Sequence, residues 1–581
     1  MSIPHNFKTE PCDVTVVQSK DILKFTASDV KNRNPVKFVF AIDTSMSMRD
    51  SAGIKGNQES MCYGRLDLVK HAVNCLVDCL DDRDQLGIVE YNSDARVIFE
   101  IATMTPDNKS KVLSLVNALR PGGSTNIWEG LEKSLHMCTD CAVLLFTDGQ
   151  PTVGITTIDK YLGSYRLKHP MTNNNIYTFG FSNDVNSELL DKIANVGHGQ
   201  FYFIPDSTMI FTIITNFLAN YFTLYGYIYI NKIFKGPLYY EQSRYVNLSD
   251  GPIEVITLDN KHIVCNPQIL NNTDKIGTTL LEVSKLITET LIPLACQSKY
   301  KEAQTAVRHF IIDVAYHDIL DYLSVNINDQ VHKAVSREYF NTWGRHYLYS
   351  FVYALTYQVN NNFKDMVVQL FGGTLFNSLK DSIDNRIVKL KPPPPSLTFM
   401  GQIYQVSSMS TFSQSSNPCF LGENRVLMEG GGIKLVRHIK AGDRVITPHG
   451  ISRVNLILKT DCTGHTVDIC RVGNLFVTPW HPIMHHGVWK FPNELSNPVP
   501  TKCEVIYSFL LEEHHIMTIE HTNVICLAHG YTEGILNHPF WGTNKVIESL
   551  IDKPGFKDGE VCLQYGCAKI NPETGIVDEL V

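Results

Sequence analysis

Charge, basic clusters and long apolar runs are all scarce in this chain. Of 581 residues only 19% are Asp, Glu, Lys or Arg, and the formal net charge is −8. No run of five or more basic residues occurs. Proteins that grip nucleic acid pair cationic side chains with phosphates, and this mildly acidic balance argues against that class. No stretch reaches the roughly 18 consecutive apolar residues that a membrane span needs. The nearest, 209-MIFTIITNFLANYFTLYGYIYI-230, is broken by Asn216, Asn220 and Gly226 and reads as a buried helix running into a strand. The opening MSIPHNFKTEPCDVTVVQ lacks the charged-then-apolar order of an export signal. The expectation is a soluble, cytoplasmic protein with no nucleic-acid partner and no membrane span.

Ordered cysteine spacing is missing too. The 15 cysteines are scattered and odd in number, which in a reducing compartment reads as buried thiols rather than bridges. Cys138 and Cys141, in CTDC, have redox or zinc spacing, but no second CxxC accompanies them and they fall where a helix hands over to a strand, so the structural reading is preferred. His485, His486, His514 and His515, near Cys462, Cys470, Cys503 and Cys526, invite a zinc reading that no regular ligand spacing supports.

What the chain does have is apolar bulk. Its 44% hydrophobic content suffices for several cores, and its length suggests about three or four domains. From residue 36 apolar strands alternate with amphipathic helices. VKFVFAID, LGIVEY, CAVLLFTDG, NIYTFGFS and FYFIPD read as strands, and 65–80, 111–119 and 128–138 as helices. This alternation predicts a doubly wound α/β sheet, whose ligands bind beyond the carboxyl ends of its strands. Three such ends carry oxygen side chains: Asp43, Ser45 and Ser47 in DTSMS, Thr125 in GGSTN, and Asp148 in TDG. Few carboxylates among hard oxygen ligands suit Mg²⁺. Each hydroxyl taken alone reads rather as a helix cap; the three elements together favour the metal.

DTSMS, the GGSTN threonine and FTDG resemble the metal-ion-dependent adhesion site of von Willebrand factor A domains over roughly 35–215. The resemblance implies a Mg²⁺ site at Asp43, Ser45, Ser47, Thr125 and Asp148 whose last position takes a carboxylate from a protein partner. It does not imply an enzyme.

Segments 1–34 and 216–300 show short alternating strands and are expected to pair into one β-sandwich, with the metal domain inserted between them. Residues 301–390 read as helical. His346, Trp343 and Tyr347 there line either a site or, preferably, a core. The segment also resembles the helical stretch of proteins that join a von Willebrand A domain to a Hint domain. A Pro- and Ser-rich linker, 391–415, follows.

Cys419 opens the last region, expected to be all-β over 416–545 with a tail at 546–581. A thiol at a domain's first residue can attack the carbonyl before it, given a polarised amide and a proton donor for the leaving amine. A histidine near neutrality can donate and a threonine hydroxyl can hold the amide. CFLGENRVLMEGGGIKLVRHIKAGDRVIT resembles the opening block of Hint domains, the hedgehog and intein autoprocessing family, and VTPWHPI its TxxH block. The resemblance implies Cys419 as nucleophile, Thr478 and His481 as its activators, and Asp461 as an acid serving the incoming nucleophile. His529 either assists or is a core histidine, and His538 is open in the same way. Inteins end in His-Asn, whereas here Asn537 precedes His538 and Pro539 follows, so splicing is not expected. Self-cleavage at Pro418–Cys419, with water, a small nucleophile or a lipid hydroxyl as acceptor, is the expectation. Its rivals are an interaction protein with an inert Hint fold and a hydrolase acting in trans through Cys419 and His481.

Overall fold

The structure, a computed structural model, describes residues 12–30, 32–51, 62–138, 140–168, 174–205, 209–270, 273–310, 312, 318–362, 365–390, 396–397, 419–463, 466–485, 487–496, 499–531, 534–536, 538, 540–565, 567–570 and 577–580. It divides into two compact units, 1–413 and 414–581. Most of the 391–415 linker, together with Asn417, Pro418, His486, Asn537 and Pro539, lies outside the described residues.

At the centre of the first unit is a six-stranded sheet. Its order is Ala95–Thr103, Gln85–Tyr91, Lys37–Asp43, Ala142–Thr147, Asn175–Phe181 and Phe201–Ile204. Every pairing is parallel except that of the edge strand Ala95–Thr103. The near-continuous apolar runs follow from burial on both faces. Phe38, Phe40 and Ile42 face one core with helices Arg65–Cys79 and Ile210–Phe222, while Val39 and Ala41 face another with Ile127–Met137 and Ser187–Val196. Under the first face Phe179 stacks between Phe146 and Tyr202, each at 5.0 Å, and meets Phe217 edge-on at 5.2 Å. Such aromatic pairs add to the area they bury.

Two four-stranded sheets, built from Val14–Ala27 and from strands between Leu224 and Leu270, share a core of Leu23, Phe25, Tyr225, Ile228 and Leu238. Helices from Lys275 onward make a further core, but they are not independent of the six-stranded sheet. Tyr353 joins the core around Val39, and Phe376, Ile383 and Ile387 join the one around Phe38. His346 is buried: its Nδ1 lies 2.9 Å from Ser187 Oγ and its Nε2 3.0 Å from the Asn183 carbonyl. Packing, rather than a pocket, is its role here. No described helix is long and apolar enough to cross a membrane.

The second unit is β-rich. One sheet runs through Arg444–Thr447, Gly450–Asp461, Val505–Leu511, Phe420–Leu421, Leu475–Val477, Thr466–Val472 and Val499–Lys502. Another holds Arg425–Leu427, Ile516–Ile519, Thr522–Ile525 and Ile483–His485. The span read from sequence as a tail is integral. Strand Glu560–Gln564 pairs in parallel with Gly450–Asp461, and Val546, Leu550, Val561 and Leu580 share a core with Leu456 and Leu458. Those elements are too short to announce themselves by periodicity.

Candidate functional site

Each unit presents one constellation. In the first, the strand Lys37–Asp43 ends at Asp43, which is fully buried. Asp43 Oδ1 accepts from the Ser45 backbone N–H at 2.8 Å, and Oδ2 from Thr147 Oγ1 at 2.6 Å. Ser45 Oγ lies 3.2 Å from Ser47 Oγ. The GGSTN loop is stitched alongside: Gly122 N donates to Thr44 O at 2.7 Å and Met46 N to Gly123 O at 3.1 Å. Gly123 has φ +75°, a left-handed conformation that glycine adopts without strain, and an added Cβ would come 2.9 Å from Ser93 Oγ. Thr125, also buried, is pinned by Thr152, whose hydroxyl accepts from Thr125 N at 2.9 Å.

The capping alternative fails for two of these hydroxyls. Ser45 precedes the short turn Met46–Arg49 without a side-chain cap bond, and the helix Ile127–Met137 is capped by Asn126 rather than Thr125. Asp148 Oδ2 accepts from Arg65 Nη1 at 3.0 Å, while Arg65 Nη2 reaches the exposed Asp184 at 2.8 Å. Asp148 Oδ1 is buried with no hydrogen-bond partner among the described residues. Burial first, and the Asp148 carboxylate second, push the Asp43 carboxyl up to about 7. An orphaned buried carboxylate oxygen and a second acid starved of positive charge, among hydroxyls, fit a small hard cation. Among the described residues no group of three or more His, Cys, Asp or Glu is placed to hold a metal. That leaves the His/Cys zinc reading unsupported, while a site of two carboxylates and hydroxyls is not such a group. Sequence reasoning missed Arg65, a buried cation in a helix's first turn; an arginine among the apolar positions of RLDLVKHAV was the available signal.

In the second unit Cys419 is buried beside Leu421, Cys462, Val467, Ile469 and Ile506. Thr478 brackets its backbone: Cys419 N donates to Thr478 Oγ1 at 2.9 Å, Thr478 N donates to Cys419 O at 2.9 Å, and Thr478 Oγ1 lies 3.2 Å from that same carbonyl. His481 N donates to Thr478 O at 3.3 Å, and the His481 ring lies 4.0 Å from the Phe420 ring. His481 Nε2 is 2.7 Å from the Ile525 carbonyl, a contact only an N–H can make, so Nδ1 is the proton acceptor of the neutral ring. Ser508 Oγ donates to Cys419 Sγ at 3.4 Å. Burial nevertheless pushes the Cys419 thiol up to about 12, only partly offset by Ser508.

Two further residues were predicted. Asp461 closes its own turn, accepting from Thr463 N at 2.9 Å, and precedes Cys462, which shares the apolar cluster of Cys419. His529 accepts from Tyr531 N at 3.1 Å, and burial and then His515 lower it to about 4. It follows Ala528, which belongs to the core of Leu456 and Trp541. His538 accepts from Phe540 N and Trp541 N and is likewise lowered to about 4. Ser508 escaped the sequence reading, although a hydroxyl in the buried strand VIYSFLL marks a group that needs a partner.

Comparison with protein families matches the von Willebrand factor type A domain at residues 38–216, the VWA / Hh protein intein-like family (Vwaint) at 317–385, and the Hint-domain (Vint) at 418–579. The chain joins a von Willebrand A domain to a Hint-type domain. The uncharacterized protein YfbK of Escherichia coli (strain K12) is 30% identical over 174 residues, 29% of this chain and 28% of that protein. Inter-alpha-trypsin inhibitor heavy chain H2 of Homo sapiens is 23% identical over 188 residues, 30% of this chain and 18% of that protein. This chain therefore spans less than a third of the length of either relative. Among solved structures, von Willebrand factor type A from Catenulispora acidiphila is 14% identical, with TM-score 0.39, over 56% of this chain and 88% of that one.

Proposed function

We propose that the von Willebrand A domain holds a divalent cation, Mg²⁺, and through it binds a carboxylate of a protein partner, while the Hint-type domain cleaves the chain before Cys419. The first half draws on Asp148 Oδ1, buried and without a hydrogen-bond partner among the described residues, in a carboxylate whose charge acts on Asp43. When bound, the ion supplies a Lewis-acidic point for an acidic side chain. Asp43, Ser45, Ser47, Thr125 and Asp148 hold it, and Arg65 fixes the far oxygen of Asp148.

For the second half the carrying observation is Thr478 Oγ1 on the Cys419 amide nitrogen. That nitrogen is the leaving group when Cys419 Sγ attacks the carbonyl carbon of residue 418. The carbon–sulfur bond forms, the carbon–nitrogen bond breaks, the thiol loses its proton, and His481 returns one to the amine. Water, a small amine or a lipid hydroxyl then takes the acyl group. Intact-mass measurement of purified protein with and without a strong added thiol tests it: two fragments dividing at Cys419 are expected, absent in Cys419→Ala. A single intact mass under both conditions refutes it.

The rival reading, an interaction protein whose Hint fold is a scaffold, draws on the burial that holds the Cys419 thiol up to about 12.

A further inference from the structure

We propose that Tyr91 is a positioning residue of the cation site, its phenol donating a hydrogen bond to the Thr147–Asp43 pair when Asp43 holds a cation. This rests on the metal reading above and adds to it a residue outside the five ligands.

The placement follows from strand register. Strand Gln85–Tyr91 runs parallel to strand Lys37–Asp43, and Tyr91 ends up directly beside Asp43. Side chains two apart on a strand share a face. Val39, Ala41, Val89 and Tyr91 belong to one core together with Ile127 and Leu131 of the helix Ile127–Met137. Asp43, two residues beyond Ala41, is on that same face. Thr147, at the end of the strand on the other side, donates to Asp43 Oδ2 at 2.6 Å. Tyr91, Asp43 and Thr147 thus form a row across three adjacent strand ends. The backbone of Tyr91 is also built into the DTSMS turn, its carbonyl accepting from Thr44 N at 2.8 Å and from Thr44 Oγ1 at 3.2 Å. Gly130 lies flat against the ring: an added Cβ there would come 2.5 Å from Tyr91 Cδ1 and Cγ.

The ring is accounted for by packing, but its hydroxyl is not. Tyr91 Oη is buried with no hydrogen-bond partner among the described residues, and burying such a group without a partner is costly. The groups that bear on it are those of the metal site. After burial, the Asp43 carboxylate acts on the phenol most strongly, followed by Thr147, Tyr161 and Asp148. Thr147 Oγ1 gives its proton to Asp43 and accepts from Gly149 N at 2.9 Å, which leaves it one lone pair. A phenol O–H directed into that lone pair makes a chain, Tyr91 to Thr147 to Asp43, in which every donor points toward the carboxylate. Hydrogen bonds behind a ligating group fix its orientation and strengthen its hold on a metal.

Mg²⁺ titration calorimetry on the full chain tests this, with the melting temperature of the metal-free protein read alongside. Tyr91→Phe keeps the ring and removes only the oxygen. It should weaken Mg²⁺ binding by about tenfold or more, the worth of a hydrogen bond to a charged group, while the metal-free protein melts at the same temperature or higher. Tyr161→Phe is the control. Its hydroxyl is likewise buried without a hydrogen-bond partner among the described residues, with burial as the influence on its phenol, and neither reading should move. Parental Mg²⁺ affinity in Tyr91→Phe overturns the proposal and leaves the metal reading standing. So does an equal loss of affinity in Tyr161→Phe, or a metal-free Tyr91→Phe that melts lower than the parent. A parent chain that takes up no Mg²⁺ overturns the metal reading itself, and this inference with it.

Discussion

The two constellations are built on opposite plans. Around Asp43 and Asp148 the protein leaves electrostatics unfinished: two buried acids, one lifted to about 7, and one carboxylate oxygen without a hydrogen-bond partner among the described residues. Around Cys419 the described polar groups engage one another. Its amide nitrogen and carbonyl are both engaged by Thr478, its thiol by Ser508, and the nearby imidazole by Ile525. On the proposed function, the unfinished site is completed by something that arrives from outside, and the closed site acts on its own chain. The domains therefore differ in how their chemistry is detected: binding titrations for the first, covalent change for the second.

The largest expected effect tests the closed site. Cys419→Ala removes the sulfur to which the proposed acyl shift goes and should reduce thiol-induced cleavage to nothing, read by intact mass. His481→Gln keeps the ring's volume and one hydrogen-bond donor but loses the proton carrier, and a fall of about 10²–10⁴-fold in cleavage rate is expected. At the unfinished site the effect is smaller and reversible. Mg²⁺ at about a hundred times its Kd stabilises the folded state by about 2.7 kcal/mol, a rise of several degrees in melting temperature. Asp148→Asn should erase that rise while Cys419→Ala keeps it. If Asp148→Asn retains the full response, the comparison breaks.

Legibility in the sequence followed element strength. KFVFAID, CAVLLFTDG and the helix after GGSTN could be placed because buried parallel strands and their helices carry long, one-sided apolar patterns, and a site at strand ends follows from that topology. The edge strand Ala95–Thr103, half exposed, had no such signature. In the C-terminal unit strands of three or four residues are set by pairing with distant partners, so the tail's place in that core was invisible locally. Thr478 and His481 were legible by resemblance. Arg65 and Ser508 were not, because what singles them out is a distance to a residue 83 or 89 positions away. The role of His529 was not legible, because a histidine beside a glycine in CLAHG carries no periodic pattern that says which way it faces.

Ser508→Ala is the smallest of the expected effects and the sharpest test of how the closed site works. With the thiol held at about 12 by burial, cleavage that consumes thiolate should quicken as pH rises from 7 toward 10, by about tenfold per unit, because each unit multiplies the thiolate fraction by that factor. The Ser508 hydroxyl stabilises the anion more than the thiol, so its removal pushes the thiol still higher. A hydrogen bond of this kind contributes about 1 kcal/mol, which corresponds to a slowing of about fivefold. Both forms lose the same fraction at every pH below the thiol's titration, so the variant's profile should lie parallel to and beneath the parent's. A profile of different slope would mean that Ser508 acts on the proton path through His481 rather than on the sulfur. No slowing at all would mean that the attacking sulfur leaves its resting position, and Ser508 with it, before the bond to carbon forms.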